Sequence, residues 1–171
     1  MNRGFLDRLT FDPDHGAHMD EARRYMMIRP DALMGIFRRL DPDARGTALE
    51  AFGAAIFEQG SDSARAYRAV SGDGAALVRV IQATAPQLGW GVWQMTLSDH
   101  RLDLSVRNSP FVAGYGPSDS PVCHAILGML RAVAGMVLGG QGRIDAAELS
   151  CAACGAPLCR FQAWRIGTEV A

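Results

Sequence analysis

Four cysteines, Cys123, Cys151, Cys154 and Cys159, and the carboxylate Glu148 carry the chemistry of this chain; three of the thiols sit with Glu148 in ELSCAACGAPLCRF, residues 148–161. The spacing runs from Cys123 over twenty-four residues to Glu148, two to Cys151 and seven to Cys159. Zinc takes four tetrahedral ligands drawn from Cys, His and carboxylate, and three thiolates with one carboxylate is an unusual but chemically sound set. Cys154 could replace Cys151 or Cys159, and His124 could stand in for Glu148. A closed four-ligand site is structural, with no position left for a catalytic water. The alternatives are four idle thiols, or a redox pair at Cys151-x-x-Cys154, which lacks the strand-to-helix context of a redox motif.

Elsewhere the chain offers little catalysis. His100 falls in a hairpin turn, no serine sits in a nucleophile elbow, and no glycine-rich phosphate or dinucleotide loop occurs, so a reductase would need an external reductant. Asp12, Asp14, His15, His18 and Asp20 surround Pro13 and Gly16 and read as a polar turn. A net charge of −1 with interspersed signs gives no field for nucleic acid or an anionic membrane. The N-terminus lacks a secretory h-region, and the apolar run 121–140 is broken by His124, Arg131 and glycines, so a cytoplasmic protein with no membrane span is expected. In a reducing compartment clustered cysteines are metal ligands or reactive thiols.

The elements that must position the cluster follow from periodicity. After the apolar run Met26, Met27 and Ile28, a helix begins at Pro30 and carries Leu33, Met34, Ile36, Phe37 and Leu40. Further helices are expected over 43–59, stopping near Gly60, over 63–70, and over 75–85 before Pro86. From residue 89 the period becomes two, predicting a hairpin with Trp93, Met95 and Leu97 facing Leu102, Leu104 and Val106. Residues 108–120 read as a loop, and Ser120-Pro121 as the start of a helix to about 138 with Cys123 in its first turn. Residues 144–149 and 158–166 form a second hairpin connected through the cysteines. The expected fold is α+β in one domain, 1–171: a mainly helical region over 1–88, then a core over 89–167 with an antiparallel four-stranded sheet in β-β-α-β-β order and helices on one side. Trp93, Met95, Leu104, Val106, Phe111, Tyr115 and Met129 could line an apolar ligand pocket, methionines adapting to bulky ligands.

SPVCHAILGMLRAVAGMVLG followed by AAELSCAACGAPLCRF resembles the 4-vinyl reductase domain, a hydrocarbon-binding family marked by a Cys at a helix start, then E-x-x-C, a Gly and C-[RK]-F. DPDHG, RYMMIRPDALMGIF and AFGAAIFEQGSDSARAY are similar to the region joined to that domain in activators of aromatic catabolism. The resemblance implies a fold shared with vesicle-tethering and nitric-oxide-signalling relatives, often a homodimer, with a hydrophobic small molecule inside. It implies a structural zinc on Cys123, Glu148, Cys151 and Cys159. Phenol sensors of the family place a Trp just before the Asn-Ser of the loop, where this sequence has Val106-Arg107-Asn108-Ser109. Ending at Ala171 without ATPase or DNA-binding domains, the chain is expected to be a stand-alone member, similar to bacteriochlorophyll-pathway proteins that hold a tetrapyrrole intermediate or reduce its vinyl group. A binding protein for a hydrophobic ring ligand, more than an enzyme, is the leading expectation; a ligand-free, metal-stapled interaction module is the third.

Overall fold

The computed structural model describes residues 4–139 and 142–167, and side chains at all of these except 63–64 and 66–71. The chain begins with a short helix, α1 (Phe5–Arg8), and an antiparallel meander of β1 (Thr10–Asp12), β2 (Ala17–Asp20) and β3 (Arg23–Tyr25). The polar turn expected here is only the tip of this meander: Asp12 Oδ1 accepts from the Asp14 and His15 amides at 3.0 and 3.2 Å, closing the hairpin. Strands of three or four residues are too short to display alternation, so the region 1–88 is less purely helical than its sequence predicts.

Three helices follow, α2 (Pro30–Arg38), α3 (Pro42–Ser71) and α4 (Gly74–Gln87). Asp41 and Asp73 cap the second and third of these, each carboxylate accepting an amide of the first turn, from Ala44 at 3.0 Å and Ala76 at 2.6 Å. A single helix of 30 residues replaces the two expected over 43–59 and 63–70. Gly60 does not stop it. A Cβ there would lie 2.9 Å from Met129 Cε, so this glycine gives room to a neighbouring helix.

The core comprises β4 (Val92–Leu97), β5 (Arg101–Arg107), α5 (Pro110–Tyr115), α6 (His124–Val137), β6 (Arg143–Ser150), a 3-10 turn (Ala152–Cys154) and β7 (Cys159–Ile166). Its four strands are antiparallel in the order β4-β5-β7-β6, and with the helices they make the α+β fold expected. Trp93, Leu102, Leu104, Val106, Phe161 and Ala163 form the buried face of this sheet, against α6 and α4. Arg101, Asp103, Ser105, Arg160 and Gln162 alternate onto the wetter face.

Two sequence boundaries move. The loop 108–120 contains α5, begun by Ser109-Pro110, and the crossover helix starts at His124 instead of Ser120. Ser118 Oγ donates to the Ser120 carbonyl at 2.7 Å and accepts its amide at 3.3 Å, holding Ser120 in a local turn that competes with a helix start. Helix α3 crosses α6 at a pair of glycines: a Cβ on Gly128 would meet the Gly53 carbonyl oxygen at 2.1 Å, and one on Gly53 the His124 carbonyl oxygen at 2.8 Å. These helices approach backbone to backbone.

Candidate metal centre and cavity

In a strand, successive side chains alternate faces, so residues three apart, such as Glu148 and Cys151, point to opposite sides. A bulge between Glu148 and Ser150 reverses the parity: Glu148 pairs with buried Phe161, but Ser150 pairs with exposed Arg160. Cys151 therefore returns to the face of Glu148 and of Cys159, the first residue of β7. Cys123, the N-cap of α6, comes down on the same corner. The 3-10 turn after Cys151 ends at Gly155 in the left-handed region, φ 91°, which returns the chain to β7.

The ligand atoms of Cys123, Glu148, Cys151 and Cys159 all lie within 4.8 Å of one another. The Cys123 and Cys159 sulfurs are 3.8 Å apart, far beyond a disulfide bond and close to the tetrahedral edge of about 3.8 Å that follows from a zinc–thiolate distance of about 2.3 Å. Ser109 Oγ lies 3.3 Å from Cys123 Sγ, and the Ala152 amide donates to Cys159 Sγ at 3.3 Å, so the thiols are supported from outside the group. Glu148 Oε1 is buried without a hydrogen-bond partner. Such an orphaned carboxylate oxygen among thiols fits a cation, which would satisfy it.

Charge within the cluster is unevenly held. Hydrogen bonds from Cys123 and then Cys159 keep the Cys151 thiol well below the usual thiol range, while hydrogen bonds with Cys151 and Cys159, and then burial, push Cys123 up. Burial, and then the Cys151 charge, push Glu148 up to about 9. Several anions side by side out of water are costly, and a divalent cation is what would remove that cost. Among the described residues no other group of three or more His, Cys, Asp or Glu side chains gathers in this way, including those around Asp12 and His15.

Both alternative ligands lie outside the group. Cys154 is exposed, its thiol pushed up by desolvation and by the Cys151 charge. His124 has a buried Nδ1 without a partner, and burial lowers its pKa; it lines a separate cleft of about 390 Å³ with Arg45, Glu50 and Glu148.

A larger cavity of about 760 Å³ lies between the N-terminal meander, α3, α4, β4 and the middle of α6. Ile56, Ile81, Trp90, Trp93 and Met129 form apolar wall. Asp20, almost fully buried, accepts both Nε and Nη2 of Arg8 at 3.1 Å, a two-point ion pair on the same wall. Exposed Arg23, Arg24 and Met26 stand at its rim. Of the residues expected to line a pocket, Trp93 and Met129 border this cavity. Leu104, Val106, Phe111 and Tyr115 are packed in the hydrophobic core, with Met95 against it, and none of these five borders the cavity. Phe5, Arg8, Asp20 and Tyr25 have no sequence signal as lining residues, because the meander that presents them is too short to be seen.

Residues 102–164 match the model of the vinyl-4-reductase domain. The phenol-responsive sensory domain of the transcription activator PoxR, solved with phenol, superposes with a TM-score of 0.74 at 19% identity, covering 94% of this chain and 86% of that one. A trafficking protein particle complex subunit 3 from Naegleria fowleri, covalently bound to palmitic acid, gives 0.54 at 14% identity, with coverage of 81% and 95%. An H-NOX protein from S. oneidensis in its Fe(II)NO state gives 0.52 at 16% identity, with coverage of 86% and 83%. At such identities these likenesses speak for the fold alone, and no curated protein sequence matches the chain. No helix among the described residues is long and apolar enough to cross a membrane. The cysteine–glutamate corner, its bulged hairpin and the strand that precedes it thus lie in a vinyl-4-reductase domain, which the chain carries over residues 102–164.

Proposed function

We propose that this protein is a small-molecule-binding protein that holds a hydrophobic ring compound in the 760 Å³ cavity, with a structural zinc on Cys123, Glu148, Cys151 and Cys159. The cavity is the observation that carries the reading. Its volume falls in the range of about 300–1,000 Å³ usual for ligand sites, with an apolar wall and few polar groups. About 150 Å³ suffices for a benzene ring, so the space favours a multi-ring compound, a tetrapyrrole intermediate among them, over a single phenol. The PoxR domain holds phenol in the same fold, which supports an aromatic ligand here. Arg8 and Asp20 offer the polar contact that would orient it. Zinc would supply cross-linking instead of catalysis: the four residues would tie the start of α6 to the β6–β7 connection, and no catalytic residue is assigned.

Native mass spectrometry of freshly purified protein reads metal, retained ligand and the expected homodimer together. Because Trp90 and Trp93 border the cavity, a divinyl tetrapyrrole is expected to quench tryptophan fluorescence at micromolar concentration. Thr84→Phe, which fills the cavity from α4, should weaken that binding about tenfold, about 1.4 kcal/mol. Bare protein by mass and no response to a tetrapyrrole or to phenol would reject the ligand reading.

A further inference from the structure

Cys154 is the one exposed thiol beside three buried ones, and it is placed to react with a neighbour. The 3-10 turn after Cys151 brings side chains three residues apart almost into register. The Cys154 amide donates to the Cys151 carbonyl at 3.0 Å, and the two thiols are hydrogen-bonded. A turn closed in this way keeps its end Cα atoms within about 7 Å, overlapping the span of about 4.4–6.8 Å that a disulfide bridges. Cys123 and Cys159, at 0% exposure, are sealed from an oxidant that reaches Cys154.

We propose that Cys154 is a hydroperoxide-oxidation site whose sulfur then closes a disulfide with Cys151, withdrawing that residue from the metal cluster. The inference rests on the zinc reading given above. The Cys154 thiol attacks hydrogen peroxide: the O–O bond breaks, an S–O bond forms, and one water leaves, giving the sulfenic acid. The Cys151 thiolate then attacks the Cys154 sulfur. The S–O bond breaks, an S–S bond forms, and the departing hydroxide takes a proton to become the second water. The two sulfurs together lose two electrons and the peroxide gains them. Cys123, Glu148 and Cys159 are left as a three-residue set, from which the metal dissociates.

The test treats the purified protein with hydrogen peroxide, following zinc release with a colorimetric chelator and locating disulfides by tandem mass spectrometry. Expected are a Cys151–Cys154 disulfide, one zinc released per disulfide, and recovery of zinc binding after dithiothreitol. Cys154→Ser should retain its zinc before treatment and release it about tenfold more slowly. Equal release rates in the two proteins, or a disulfide located at Cys123–Cys159, would overturn the inference. Disulfide mapping is repeated on chelator-treated protein, so that absence of bound zinc, which rejects the metal reading, is distinguished from absence of the Cys151–Cys154 bond, which rejects this one.

Discussion

The metal-ligating corner and the cavity are built in opposite ways. Three of the four ligand residues lie within twelve residues, 148–159, on one bulged hairpin, and a single helix start adds the fourth. The cavity instead takes its wall from Phe5 at one end of the chain to Met129 near the other, with exposed charged residues at its rim. A short closed motif can be rigid on local geometry alone; a wall assembled from distant elements depends on how helices and meander pack, and its open side can adapt to what enters.

The largest effect expected from this contrast is at the corner. Cys159→Ser removes a fully buried ligand and should abolish zinc binding, costing about 4 kcal/mol or more, equivalent to a melting temperature lower by roughly 10 °C. Metal analysis and a thermal melt check this, and an unchanged melt would mean that the corner staples nothing. Gly128→Ala is next, because it tests whether the two regions are independent. Its Cβ would meet the Gly53 carbonyl oxygen at 2.1 Å, forcing α3 from α6, which carries Cys123 at its cap and Met129 on the cavity wall. A loss of about 3 kcal/mol in denaturant titration is expected, with weaker zinc retention and weaker ligand binding together. If only one of the two functions falls, the shared helix does not couple them. Smallest is Asp20→Asn, which breaks the pair with Arg8. Arg8 retains 28% of its side-chain exposure, so solvent screening limits the cost to about 1–2 kcal/mol. Ligand affinity should change while zinc content stays the same, and altered zinc content would contradict the separation of the two sites.

Much of the core was legible because its signals are local. The alternations 93–97 and 102–106 put one apolar set on a buried face, and turn residues at 98–100 closed the hairpin where the sequence expects it. The second hairpin likewise follows its pattern. Helix ends were less legible: Gly60 has the composition of a stop, yet its missing side chain serves contact with Met129, a partner nearly seventy residues away. Ser120-Pro121 has the composition of a start, but the Ser118 hydroxyl binds it into a turn. The meander around Asp12 hid its short strands behind the polar residues of its own turn.

By itself the sequence determined the antiparallel hairpins, the crossover helix and the residue types of the corner, because period, capping chemistry and cysteine spacing are written within a few residues of where they act. Tertiary structure alone decided which of those residues meet. One extra residue in β6 turns Glu148 and Cys151 to the same face, since side-chain direction in a strand depends on parity, and parity is set by the partner strand. It also decided the cavity: Phe5, Asp20, Trp93 and Met129 share a wall only through the packing of the meander and helices on the sheet, a relation carried by no window of the chain.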